Sequence, residues 1–155
     1  MNWNTIVNKA YPYIVKIETP SGTGTGFLCL YNKDKTWLGI ATALHVVSEA
    51  EDWQLPIKVI TKTKGQIFLK EKDRIIFPNY DTDLALILLP NPNNGSFPVD
   101  PIPLRPLDEI LDIGSEVGWL GFPYLTGNNP CFFSGCISAR NENNKSYLID
   151  GVSIE

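Results

Sequence analysis

The sequence predicts an all-β fold, and two observations support that prediction. The apolar segments are short, rich in β-branched and aromatic residues, and bounded by turn residues. The 155 residues also include 12 prolines and 12 glycines, which imply many turns and suit a β-rich fold better than a helical one. A short amphipathic helix over residues 2–10, which ends before Pro12, precedes the first strand. The predicted strands are 13–19, 24–31, 37–43, 57–62, 66–70, 74–77, 84–89, 116–121, 131–140 and 146–150.

A polar, proline-rich segment at residues 90–95 separates seven predicted strands from the three or four that follow. It is typical of a linker, and it predicts two domains, residues 1–95 and 96–155. If each domain is a closed barrel, the second is unfinished and leaves a sheet edge exposed, which proteins usually avoid. On this evidence we expect a truncated second barrel.

Composition excludes several classes of function. The net charge is −4 and no basic run occurs, which argues against a nucleic-acid partner. No segment approaches the roughly 18–20 consecutive apolar residues that cross a membrane. The first five residues lack the basic and apolar regions of a secretory signal.

The cysteines, Cys29, Cys131 and Cys136, are too few and wrongly spaced for a disulfide framework or a zinc site. We therefore expect buried free thiols, no metal and no cofactor. Together with the missing signal peptide they favour a reducing, cytoplasmic location, although a chain that had lost its leader would look the same.

Two residues are candidates for chemistry. His45, the only histidine, lies where an apolar strand ends and a turn begins, and a lone histidine of this kind is more often structural than catalytic. Asp83 precedes the apolar run 84–89, and its simplest interpretation is a solvated turn. In the functional interpretation its carboxylate orients the His45 imidazole and stabilises the imidazolium. Because Asp83 abuts the apolar run, we expect it to be buried and Asp81 to be exposed.

Taken in order, several segments resemble the trypsin-like serine peptidase family, most closely its bacterial Deg/HtrA-like branch. They are 24–27 (GTGF), 42–47 (TALHVV) and 83–86 (DLAL), followed by 114–117 (GSEV), 121–123 (GFP) and 134–139 (SGCISA). Two positions depart from the family pattern. Leu44 stands where a small residue is usual, and Val46 stands where secreted members carry a disulfide cysteine.

The resemblance implies two antiparallel Greek-key β-barrels, the second incomplete here, with an active site in the cleft between them. It implies a serine endopeptidase acting on peptides or proteins, with His45 as general base and Asp83 as its orienting carboxylate. The nucleophile would lie in a Gly-x-Ser-Gly turn, which residues 147–154 would immediately precede. The nucleophilic serine is therefore expected beyond residue 155, the chain alone is expected to be inactive, and further C-terminal domains are left open.

The same resemblance places Gly151, Val152 and Ser153 at the floor of a substrate pocket. Ser134, Ser153 and Cys136 are poor substitutes for the nucleophile. Ser134 lacks the preceding glycine, Ser153 lacks the following one, and Cys136 lies in the same predicted strand as Ser134. Two other classes stay open. One is a catalytically inactive pseudoprotease that binds peptides or proteins by strand addition, and the other is an unrelated all-β binding domain.

The glycines of residues 22–26 (GTGTG) are not a phosphate-binding loop. A dinucleotide fingerprint needs different spacing and opens a helix, whereas this segment leads into a predicted strand. We expect these glycines to allow close approach of the backbone, or a bulge at a barrel corner.

Overall fold

Antiparallel strands are the main secondary structure of the computed structural model, which describes residues 2–63 and 65–152. The chain divides into two compact units after Pro103. Each unit has its own sheet, and the prediction of an all-β class is confirmed.

The first unit begins with a helix whose start is capped by a side chain. The Oδ1 atom of Asn2 accepts the backbone N–H of Thr5 at 3.3 Å, and Pro12 lies in the 3-10 turn that follows the helix. The elements are α1 Trp3–Ala10, β1 Ile14–Thr19, β2 Gly22–Tyr31, β3 Trp37–Ala43, α2 Leu44–Asp52, β4 Ile57–Ile60, β5 Gln66–Leu69, β6 Ile75–Asn79 and β7 Leu84–Pro90. Short 3-10 helices cover Tyr11–Tyr13 and Glu71–Asp73. Helix α1 and all seven predicted strands are confirmed, with ends that shift by about one or two residues.

The seven strands form one curled sheet in the order β5-β4-β1-β2-β3-β7-β6, with every neighbouring pair antiparallel. Alternate residues of each strand point to the inner face, where burying them removes apolar surface from water and stabilises the fold. Helix α2 adds Val47 and Ala50 to this core. The strand residues of the core include Val15, Ile17, Leu28, Leu38, Ile40, Ile57, Val59, Ile87 and Leu89.

The predicted linker and the residues that follow it are hydrogen-bonded to the first unit. Within the linker, the N–H of Asn91 donates to the carbonyl of Thr36 at 2.8 Å. The hydroxyl of Tyr31 donates to the carbonyl of Pro98 at 2.6 Å, and the N–H of Ile102 donates to the carbonyl of Leu28 at 3.2 Å. The domain boundary expected after residue 95 stays a prediction.

The second unit contains β8 Glu116–Gly121, β9 Cys131–Asn141 and β10 Ser146–Gly151, which form an antiparallel sheet in the order β10-β9-β8. A 3-10 helix covers Tyr124–Thr126. All three predicted strands of this half are confirmed. Two glycines let the sheet pack closely: a Cβ on Gly135 would overlap the carbonyl oxygen of Asp150, and one on Gly151 would meet the Trp119 ring.

Two sequence-based expectations need correction. The segment after β3 is a helix, α2, rather than the start of a turn. The thiols are free, as expected, but the expectation that they are buried is wrong: Cys29 and Cys131 are half-buried and Cys136 is exposed. Cys136 is exposed because side chains alternate along β9, and the neighbouring Ile137 takes the buried face.

No helix among the described residues has the length and apolar character needed to cross a membrane. Within the same residues, no group of three or more histidine, cysteine, aspartate or glutamate side chains is placed to hold a metal ion.

Candidate active site

The candidate site lies at one end of the first sheet, where β3 finishes and β7 begins. Ala43, the last residue of β3, pairs with Leu84, the first residue of β7. The next hydrogen bond outward runs from the N–H of Leu44 to the carbonyl of Asp83 at 2.9 Å. The sheet ladder therefore brings residues 44–45 next to residue 83, although they are far apart in sequence.

His45 and Asp83 are joined by two further hydrogen bonds. The ring Nδ1 of His45 lies 2.6 Å from Oδ2 of Asp83, and the backbone N–H of His45 donates to Oδ1 at 2.9 Å. Each carboxylate oxygen therefore has a different partner on the same residue. The position of the imidazole is set relative to both the aspartate and the start of helix α2.

Asp83 also completes the beginning of α2. The N-cap residue, Ala43, has no side chain that can accept a hydrogen bond from the first turn. Asp83 supplies the acceptors instead, through its carbonyl and one carboxylate oxygen. A carboxylate at a helix N-terminus also interacts favourably with the helix dipole. Asp83 reaches this position with a left-handed backbone, φ 51°, a conformation that aspartate adopts more readily than most residues.

The pair is open to solvent. The side chain of His45 is 74% exposed and that of Asp83 is 54% exposed, so the expectation that Asp83 is buried is wrong. Asp83 precedes the strand, and its carboxylate turns back toward the helix start rather than into the core. Asp81 is exposed, as expected.

Hydrogen bonding holds Asp83 in its charged form. The ring of His45 contributes most, followed by the His45 backbone N–H, and together they lower the pKa of the Asp83 carboxyl below its ordinary value. An ionised carboxylate can only accept hydrogen bonds, so Nδ1 of the neutral imidazole must carry the proton that it donates to Oδ2. The lone pair of the ring is then on Nε2.

This arrangement suits general base catalysis. Among the hydrogen bonds of the described residues, none engages Nε2 of His45. A proton taken up at Nε2 makes the ring an imidazolium, whose charge the adjacent Asp83 carboxylate stabilises. The geometry can therefore accept a proton from a nucleophile and later return it to a leaving group.

Close packing of α2 on β2 fixes the helix that carries His45. A Cβ added to Gly24 would lie 2.5 Å from both methyl carbons of Val46, so only glycine fits beneath that side chain. Gly24 in β2 therefore allows a close approach, of a side chain rather than of the main chain, whereas Gly22 meets nothing within 4 Å. Leu44 and Val47 are buried in the core on the same helix. The two departures from the family pattern, Leu44 and Val46, are therefore packing residues that flank His45.

The remaining site candidates lie in the second unit. Ser134 and Cys136 are strand residues of β9, as expected. Gly151 ends β10 beneath the Trp119 ring, and Val152 is 72% exposed. Ser153 lies outside the described residues. The substrate-pocket role of Gly151, Val152 and Ser153 stays a prediction.

Comparison with known families identifies the chain. The sequence matches the family described as Trypsin over residues 4–139, a range that includes both His45 and Asp83. The chain belongs to the trypsin family. A search of curated proteins finds no match.

Solved structures of the same fold resemble the chain at low sequence identity. A serine-to-alanine mutant of Rv3671c from M. tuberculosis H37Rv, in its inactive form, superposes with a TM-score of 0.62 at 21% identity, covering 88% of this chain and 55% of that one. The HtrA-type protease AlgW with a decapeptide gives a TM-score of 0.67 at 16% identity, covering 97% and 51%. These likenesses show a trypsin-like fold. The chain spans about half the length of these structures.

Proposed function

We propose that the protein containing this chain is a serine endopeptidase in which His45 is the general base and Asp83 its orienting carboxylate. The nucleophile is a serine outside residues 1–155. The observation that carries the proposal is the two-point hydrogen bonding between Asp83 and His45, which leaves Nε2 available as a proton acceptor.

In the first half-reaction the serine Oγ attacks the carbonyl carbon of a peptide bond. The Oγ–H proton passes to Nε2 of His45 as the Oγ–C bond forms, and the carbonyl oxygen becomes an oxyanion. His45 then returns this proton to the amide nitrogen, the C–N bond breaks, and an amine leaves. The product is an acyl-enzyme ester.

In the second half-reaction water replaces the amine. Nε2 takes a proton from water as the hydroxide oxygen attacks the ester, and His45 then protonates the serine Oγ as the acid leaves. Asp83 stays ionised through both halves. It keeps the Nδ1–H tautomer in place and stabilises the imidazolium each time that it forms.

The test uses the complete natural protein and a panel of fluorogenic peptides. We expect hydrolysis by the wild type and a rate lower by about a million-fold in His45→Gln, because removal of the base disables the nucleophile as well. Glu49→Gln, an exposed change on the same helix, is the matched control and should keep full activity.

Two outcomes would contradict the proposal. If His45→Gln hydrolyses peptides as fast as the wild type, His45 is not the base. If the complete protein binds peptides but cleaves none of them, the fold is serving as a peptide-binding module without catalysis.

A further inference from the structure

Arg74 is a buried arginine whose every N–H group is hydrogen-bonded. Its side chain is 0% exposed. Nη1 donates to the carbonyls of Leu55 at 2.8 Å and Leu69 at 3.1 Å, and Nη2 donates to the carbonyl of Ala50 at 3.0 Å. Both Nε and Nη2 reach Oε2 of Glu51 at 3.4 Å. These bonds use all five donors of the guanidinium.

Most of these acceptors lie at the C-terminal end of helix α2. Ala50 and Glu51 belong to its last turn, and Leu55 follows it closely. The last carbonyls of a helix have no partner within the helix, and a positive charge there interacts favourably with the helix dipole. Arg74 therefore places a positive charge at the end of α2 opposite to Asp83. It gives the Ala50 carbonyl a second donor beside the N–H of Leu55.

Both residues come from the same β-hairpin. Arg74 directly precedes β6 and Asp83 directly precedes β7. The two strands are paired along their length, from Ile75 opposite Leu88 to Asn79 opposite Leu84. One hairpin thus contacts both ends of the helix that carries His45.

We propose that Arg74 is a positioning residue for His45: its guanidinium sets the place of α2 along the hairpin, so that the imidazole meets the Asp83 carboxylate. The catalytic meaning of this role rests on the proposed function. The positional role itself does not, because the contact between His45 and Asp83 can be measured whether or not the protein cleaves peptides.

The choice of arginine supports a positional role over simple stabilisation. Removing a charge from water is costly, and a well-packed apolar residue often stabilises a buried position as well or better. The planar guanidinium also fixes position. Its N–H donors point in fixed directions, so it can bond all three carbonyls in only one arrangement. Lysine keeps the charge but has a flexible stem and three donors, so it cannot hold the same set.

The test is NMR of His45 in the complete protein. His45 is the only histidine of residues 1–155, and its ring signals are assigned by their loss in His45→Gln. In the wild type the ring ¹⁵N shifts should report a proton on Nδ1 that exchanges slowly with water. In Arg74→Lys we expect faster exchange of that proton and partial transfer of the proton to Nε2. Leu89→Ala creates a cavity in the same core and is the control for general destabilisation. It should leave the His45 ring shifts and proton exchange unchanged.

A milder variant covers the case in which Arg74→Lys fails to fold. Glu51 is half-exposed, and Glu51→Lys places a positive charge beside the guanidinium. We expect it to move the His45 signals in the same direction as Arg74→Lys, by a smaller amount. Glu49→Lys makes the same charge change on the same helix at a side chain that forms no hydrogen bond or ion pair with Arg74, and it should leave the His45 signals unchanged.

Unchanged His45 signals in both Arg74→Lys and Glu51→Lys would overturn the proposal, as would equal shifts in Leu89→Ala or Glu49→Lys. These results stand apart from catalysis. A protein that cleaves no peptide but shows the expected shifts would contradict the proposed function and support the positional role of Arg74.

Discussion

Asp83 binds His45 through both of its carboxylate oxygens, one to the ring Nδ1 at 2.6 Å and the other to the backbone N–H at 2.9 Å. The aspartate therefore orients the side chain and anchors the main chain of the same residue. Because the two bonds have separate acceptors, a substitution can change one of them and keep the other.

In the complete protein, Asp83→Asn should change the hydrogen bond to the ring and keep the one from the backbone N–H. The amide oxygen can still accept the His45 N–H, but the amide NH₂ faces Nδ1 and donates to it, which moves the ring proton to Nε2. We expect kcat to fall by about 10⁴-fold, the effect of imposing the wrong tautomer on such a triad. Peptide kinetics and the ring ¹⁵N shifts of His45 measure the two effects. Asp81→Asn, on the exposed neighbour, is the control, and full activity in Asp83→Asn would refute the role of Asp83.

The lowered pKa of Asp83 predicts a dependence of stability on pH. The folded state favours the carboxylate, so its contribution is fully present above the unfolded value, near the ordinary 3.8. The contribution is lost as the pH falls through the lower, folded value. In urea titrations between pH 7 and pH 2, the wild type should therefore lose stability relative to Asp83→Asn below about pH 4. Parallel curves for the two proteins would show that the hydrogen bonds to Asp83 do not favour its charged form.

Gly24→Ala tests the packing beneath the site. The new methyl group would lie 2.5 Å from both Val46 methyls, and overpacking of this kind costs about 1–3 kcal/mol. Gly22→Ala, in the same strand, meets nothing within 4 Å and is the matched control. We expect thermal denaturation to show a lower melting temperature for Gly24→Ala and an unchanged one for Gly22→Ala. Adding Val46→Ala to Gly24→Ala should restore part of the lost melting temperature. Equal melting temperatures for the two alanine variants would contradict the contact.

Gly135→Ala tests the second unit. The added Cβ would overlap the carbonyl oxygen of Asp150, and both partners are main chain, so β9 and β10 must separate. We expect a cost at the upper end of the range of about 1–3 kcal/mol for overpacking. Amides of β10 should also lose protection from hydrogen exchange. Ser134→Ala, at the exposed neighbouring position, is the control and should keep the protection of the β10 amides. If Gly135→Ala also keeps that protection, the close approach of β9 and β10 at Gly135 is refuted.

Much of the fold could be predicted because strands have a simple signature. Short apolar segments rich in β-branched and aromatic residues, bounded by turn residues, located all ten strands. Helix α2 was missed for a physical reason. Ala43 offers no capping side chain, and the acceptors come from Asp83, which no local pattern near residue 44 can reveal.

Part of the candidate site could also be predicted from the sequence. His45 and Asp83 could be found because their chemistry depends on side-chain type and on the motifs around them. The exposure of Asp83 could not, since it follows from a left-handed turn that directs the carboxylate to the helix. Arg74 was missed because most of its partners are carbonyls, which every residue carries and no sequence pattern marks.

The capping of α2 by Asp83 also has a consequence for the order of assembly. A ribosome releases the chain from its N-terminus, so His45 emerges 38 residues ahead of Asp83. During that interval the first N–H groups of the helix have only water as a partner, and a helix of nine residues is marginal on its own. The imidazole then behaves like that of any histidine in an unfolded peptide. The hydrogen bonds between His45 and Asp83 form only when β7 pairs with the sheet. The candidate site is therefore assembled in the same step that completes this part of the sheet.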